Sequence, residues 1–192
     1  MLRPTSRMSL QSRKILLGVS GSIAAYKAAP LVRLLVKAGS EVRVVLTPAA
    51  TAFVTPLTLA TLSKNPVLQG FLKDERAGEW HNHVELGLWA DALVVAPASA
   101  NTLAHLAGGL CDTLLDAVYL SARCPVFVAP AMDLDMYRHP ATQANLARLR
   151  SYGNTVWESP AGELASGLSG PGRMLEPEDI VRELEREFNQ KN

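Results

Sequence analysis

Short apolar runs that alternate with helical patterns limit what this chain can fold into more than any other feature. "KILLGVS" (14–20), "EVRVVLT" (41–47), "ADALVVAPA" (90–98) and "CPVFVAPAM" (124–132) have strand length, and "NTVWE" (154–158) is a shorter fifth. Between them, apolar residues recur at helical spacing. Runs such as "ALVVA" and "VFVA" have no polar alternate, so both their faces call for burial. Strand, helix and strand in succession require right-handed crossovers and a parallel sheet. The expected fold class is therefore α/β: three Rossmann-like layers, a parallel sheet with helices on both faces. The chain has 192 residues, 48% hydrophobic and 19% charged, which suffices for a single core.

Helix signals refine this. In "GSIAAYKAAPLVRLLVKAG" (21–39), Pro30 either kinks the helix or marks its true first turn, and Gly39 ends it. Residues 48–65 read as two short helices broken at Pro56. Segments 99–109, 112–122 and 139–153 read as further helices, and "EPEDIVRELEREF" closes the chain as a charged amphipathic one. "MLRPTSRMSLQSR" (1–13) is basic and lacks the apolar middle of a signal peptide, so it reads as a disordered leader before one domain at 14–192.

Composition narrows the partners. A formal net charge of +1 offers no electrostatic footprint for nucleic acid. No apolar run approaches the roughly 20 residues that cross a membrane. Cys111 and Cys124 lack metal-ligand spacing and make no disulfide framework, so they read as reduced thiols suited to a cytoplasmic location.

In an open parallel sheet, ligands bind beyond the carboxyl ends of the strands. "SGSIAA" puts Gly21, Ser22 and Ile23 between a strand and a helix start, where bare N–H groups favour a phosphate. The spacing is not that of the dinucleotide fingerprint. Thr47 ends the second strand as a phosphate hydroxyl or a helix cap, and Ser99, Asn101 and Thr102 offer the same choice at a third strand end. Each alone reads as a cap; together they point to a phosphate-bearing ligand. His83 precedes the third strand, and Asp133 and Asp135 follow the fourth, where a surface turn with capping aspartates is the simpler reading. "GELASGLSGPGRM" (162–174), rich in Gly and Ser, reads as a flap.

"GVSGSIAAYK", "HVELGLWAD", "APASANT", "PAMDLDMY" and "GLSGPGRM", in this order, resemble the flavin-containing cysteine decarboxylases. That family includes phosphopantothenoylcysteine decarboxylases of coenzyme A biosynthesis and peptidyl-cysteine decarboxylases. The resemblance implies a flavoprotein fold with FMN at the strand ends, its phosphate near Gly21, Ser22, Thr47 and Ser99, and Ala100, Asn101, Thr102 and Met132 along the ring. It implies His83 as an active-site histidine, and Asp133, Met136 and Arg173 as substrate contacts. It also implies a cytoplasmic homo-oligomer, a trimer or dodecamer, and a fused or separate synthetase domain.

The chemistry implied is FMN-dependent decarboxylation of 4'-phosphopantothenoylcysteine to 4'-phosphopantetheine. A cysteine-derived carboxylate loses CO2 only when an electron sink is made beside it, and oxidation at Cβ by flavin provides one. Two positions depart from the family pattern. Asp133 stands where the family has Asn, and Ser166 where the flap has Cys. An ionised Asp133 would repel a substrate carboxylate by on the order of 4 kcal/mol at an effective dielectric of 20; a protonated one could donate a hydrogen bond. Ser166 is a poor proton donor, and Ser169 is a second candidate. The departures keep two alternatives open: a peptidyl-cysteine oxidative decarboxylase, which needs no flap donor, and a catalytically weak flavin-binding subunit of a mixed oligomer.

Overall fold

A computed structural model describes residues 10–74 and 77–190. In chain order they form β1 (Lys14–Val19), α1 (Ala28–Lys37), β2 (Glu41–Leu46), α2 (Pro56–Ser63), β3 (Val67–Leu68), β4 (Leu72–Asp74), β5 (Glu79–Trp80), α3 (His83–Trp89), β6 (Ala92–Ala98), α4 (Ala100–Gly108), α5 (Leu114–Ser121), β7 (Val126–Pro130), α6 (Leu134–Arg138), α7 (Pro140–Ser151), β8 (Thr155–Val156), β9 (Gly162–Glu163), β10 (Ser169–Gly170) and α8 (Pro177–Gln190). Two 3-10 turns, Ile23–Lys27 and Pro48–Ala52, follow β1 and β2.

The main sheet runs β3-β2-β1-β6-β7-β8. Every pairing in it is parallel. Alternation along the strands sorts the core into two clusters. Ile15, Leu17, Val44, Val94 and Phe127 face α1, α2 and α8, meeting Leu31, Leu35, Leu59, Ile180 and Leu184. Leu16, Leu93, Val95 and Val128 face the other way, onto Leu103 and Leu106 of α4, Leu115 and Val118 of α5, and Leu146 and Leu149 of α7. A sheet buried on both faces needs these uninterrupted apolar strands, and the three layers follow from them. Among the described residues, no helix is long and apolar enough to cross a membrane.

The strand order reverses between β1 and β6: β2 and β3 lie to one side, and the chain then crosses back to lay β6 on the other. Such a switch point opens a crevice at the carboxyl ends of the two strands.

Several boundaries move. Pro30 lies in the first turn of α1, where its missing N–H costs nothing, so the 3-10 turn before it is a separate element. Residues 10–13 are packed, contrary to a leader ending at 13. Leu10 is fully buried, the Ser12 amide donates to the Gly39 carbonyl at 2.9 Å, and the Arg13 guanidinium lies 4.6 Å from the Phe188 ring centre. Residues 1–9 fall outside the described residues. The small strands β3, β4 and β5 carry no clear alternation and are not visible in the sequence. The segment after β7 is more than a turn: Asp133 caps α6, its Oδ1 accepting from the Leu134 amide at 2.6 Å.

Candidate functional site

Three adjacent strand ends carry the expected hydroxyls, since β2, β1 and β6 are neighbours in the sheet. Ser22 caps the 3-10 turn after β1, accepting from the Ala24 amide at 3.2 Å. Ser99 caps α4, accepting from the Thr102 amide at 3.3 Å, and Thr102 is buried behind it. Asn101, in the first turn of α4, is exposed. Thr47 occupies the cap position of the turn after β2, yet its side chain makes no cap bond. Thr47 is 8% exposed, and its buried Oγ1 has no hydrogen-bond partner in the chain. Buried hydroxyls nearly always find partners, so this one is poised for a ligand.

Gly21 lets the loops after β1 and β2 close on each other. A Cβ there would sit 2.7 Å from the Ala49 Cβ. Ser20, passed over in the sequence reading, joins the two sides of the switch point. Its buried Oγ donates to the Pro97 carbonyl at 2.8 Å and accepts from the Ser99 amide at 2.8 Å. A serine ending an apolar strand was the signal that could have found it.

Beside these strand ends lies a cavity of about 550 Å³. Ser22, Ile23, Lys27, Met132, Asp133 and Arg173 are among its walls, and the flap contributes Glu163, Leu164 and Ala165. Segments 30 positions or more apart thus meet: the β1 loop, the end of β7 and the flap. The flap is an antiparallel hairpin of β9 and β10 closed by a tight turn, with the Leu164 amide donating to the Leu168 carbonyl at 2.8 Å. It is tied to the β7 loop where the Met132 amide donates to the Gly172 carbonyl at 3.0 Å.

The other expected site residues lie outside the cavity walls. Ser166 sits at the exposed tip of the flap, its Oγ accepting from the Leu168 amide at 3.4 Å. Ser169 is exposed in β10. Met136 is 49% exposed on α6. His83 opens α3, its ring edge-on to Trp80 at 5.7 Å, and its buried Nδ1 has no partner in the chain. Lys27 and Glu163 are cavity residues that the sequence reading missed. For Lys27 a signal existed, a lone cation inside the apolar run "IAAYKAAPLV".

Residues 3–189 match the protein family described as Flavoprotein. The chain belongs to that flavoprotein family. Two curated relatives of this flavoprotein are a cysteine/cysteine sulfinic acid decarboxylase of an unknown prokaryotic organism, 60% identical over 138 residues (72% of this chain, 38% of that protein), and the coenzyme A biosynthesis bifunctional protein CoaBC of Vibrio vulnificus strain YJ016, 47% identical over 183 residues (95% of this chain, 45% of that protein). The chain thus spans less than half the length of either. Among solved structures, a PPC decarboxylase cysteine-to-serine mutant complexed with pantothenoylaminoethenethiol superposes with a TM-score of 0.82 at 36% identity, covering 93% of this flavoprotein and all of that chain. The FMN-dependent cysteine decarboxylase SpaF superposes with a TM-score of 0.79 at 29% identity, covering 94% of this flavoprotein and 99% of that chain.

The site residues fit a flavin phosphate ester. Thr47 brings an unpartnered buried hydroxyl, Gly21 brings close backbone approach, and Ser22 and Ser99 bring further hydroxyls at neighbouring strand ends.

Proposed function

We propose that this flavoprotein is an FMN-dependent carboxy-lyase that converts 4'-phosphopantothenoylcysteine to 4'-phosphopantetheine. The observation that carries the reading is the cavity of about 550 Å³, bounded by a strand-end serine on one side and by a flap and two cations on the other. The 36% identity with PPC decarboxylase over nearly the whole chain supports the same substrate class. FMN, when bound, supplies the electron sink that a cysteine-derived carboxylate lacks.

The chain's own groups then hold the substrate. Thr47, Ser22 and Ser99 hold the phosphate ester of the cofactor. Asp133 borders the cavity with Oδ1 occupied by the Leu134 amide, so Oδ2 is the oxygen that faces the substrate carboxylate. The flap forms one wall of the cavity through Glu163, Leu164 and Ala165. Ser166, whose Oγ accepts from the Leu168 amide, shapes the turn at the flap tip.

The flavoprotein works as a homotrimer or a multiple of three. Val84 and Leu88 on α3 and Leu120 on α5 are 45%, 54% and 52% exposed, an apolar surface suited to a second copy. The α3–α5 pair carries His83 with its orphan Nδ1, so a docked copy would bring that ring to a cavity not its own.

One observation favours a second reading. The relative at 60% identity is a cysteine/cysteine sulfinic acid decarboxylase, which points to a smaller substrate. One experiment separates the readings. The FMN-loaded protein is assayed for CO2 release from phosphopantothenoylcysteine, cysteine, cysteine sulfinate and a C-terminal cysteinyl peptide. Turnover of the first alone is expected. Turnover of cysteine or its sulfinate without the first would overturn the proposal. Asp133→Asn keeps the α6 cap and removes a charge, so KM for the true substrate should fall about tenfold.

A further inference from the structure

Two cations at the cavity converge on one carboxylate oxygen. Lys27 is only 5% exposed. Its Nζ donates to the Met174 carbonyl at 3.1 Å and to Glu176 Oε1 at 2.7 Å. Arg173 Nη2 donates to the same Oε1 at 3.1 Å. Lys27 and Arg173 both line the cavity, whereas Glu176 does not. The compensating carboxylate therefore lies outside the cavity lining, to which both cation-bearing residues contribute. The cavity's own acids, Asp133 and Glu163, belong to the β7 loop and the flap.

Donor capacity remains at this corner. An ammonium has three N–H donors and a guanidinium five in a flat fork, so Lys27 retains one and Arg173 most of its set. Arg173 packs over the flap base, where its Nη1 lies 2.7 Å from the place a Cβ at Gly162 would take, and its Nη2 is tethered by Glu176. Glu176 is well seated as an anchor: chiefly the hydrogen bond from Lys27 holds its carboxyl below the usual 4.5, with both cations adding to this and burial opposing it. Oriented cations with spare donors, and a buried lysine stem, match a phosphate monoester better than a neutral end group.

We propose that Lys27 and Arg173 form the subsite for the substrate's terminal phosphate, with Glu176 as the positioning residue that holds both cations. The inference rests on the substrate reading above, and it assigns to this corner the selection of a phosphorylated over an unphosphorylated pantetheine arm. Small cysteine substrates carry no such group and leave the pair unused.

The test is calorimetric binding of 4'-phosphopantetheine and of pantetheine to the FMN-loaded protein. The wild type should bind the phosphorylated ligand at least about tenfold more tightly, the value of one charge-assisted hydrogen bond. In Arg173→Met the preference should collapse to about twofold while pantetheine affinity stays the same. The half-exposed Arg173 side chain makes this variant safe for folding, and its thermal midpoint checks that. Glu176→Gln removes the charge that holds both cations, so the preference should fall to between the wild-type and Arg173→Met values; an unchanged preference would overturn the positioning role of Glu176. Equal affinities in the wild type, or an undiminished preference in Arg173→Met, overturn the subsite and leave the substrate reading standing. Binding of neither ligand overturns both.

Discussion

Thr47 shows how one hydroxyl carries information that only its surroundings reveal. In sequence it reads equally as a helix cap or a ligand contact. Ser22, Ser99 and Asp133, which face the same choice, do act as caps. Thr47 alone has the position of a cap without the bond, and its Oγ1 is buried and unpartnered. An unsatisfied buried hydroxyl costs a protein roughly 1–3 kcal/mol. Thr47→Val, nearly the same shape, should therefore raise the stability of the FMN-free protein by about 1 kcal/mol. The same change should weaken FMN binding about tenfold, because a phosphate oxygen loses its donor. Urea titration and flavin fluorescence measure the two. A Thr47→Val protein that is less stable without FMN and binds it normally would show that the hydroxyl serves the fold.

At the scale of elements, the flap matters most. It pairs only two residues with two, so its own ladder cannot hold it, and its docking does. Gly172 is the hinge of that docking. Its φ of +133° is one that side-chain-bearing residues rarely adopt, and a Cβ there would run into the Met132 carbonyl oxygen. Gly172→Ala should destabilise the protein by roughly 1–3 kcal/mol and unseat the flap from the β7 loop. Limited proteolysis within 163–170 should then be faster than in the wild type, with the sheet core still protected. Equal cleavage rates would mean that the flap docks without this hydrogen bond. The sheet itself is less sensitive, because β1, β2, β6 and β7 are buried on both faces.

For the whole molecule, the question is how many chains make a site. His83 lies outside the walls of the cavity that Asp133 and Arg173 border. If the proposed oligomer is built through α3 and α5, His83 of one copy would serve the cavity of the next. Mixing answers this directly. His83→Asn should keep FMN bound and lower turnover by about 100-fold, as for a lost acid–base group. Arg173→Met should lower it by loss of substrate binding. Co-refolding the two variants should then give more activity than either alone, since some contacts pair two intact halves of a site. No recovery in a mixed oligomer, with trimer mass verified by sedimentation, would place His83 and its cavity within one chain.

The sequence by itself determined the layered α/β fold. Apolar periodicity reports local burial, and a strand buried on both faces cannot hide that fact in runs such as "ALVVA" and "VFVA". The same logic made the strand-end loops legible as a ligand region, because their hydroxyls follow directly on the strands. Short strands such as β3 and the α6 turn were not legible; two to five residues hold too little periodicity to register. Only the tertiary structure decided that Leu10 belongs to the core, that Thr47 is left without a partner, and that Ser166 stands at a flap tip. It alone brought Lys27 to Glu176, 149 positions away. Pairings of that kind have no local signature. They arise because an ion buried by packing must meet its counter-charge wherever the fold delivers one.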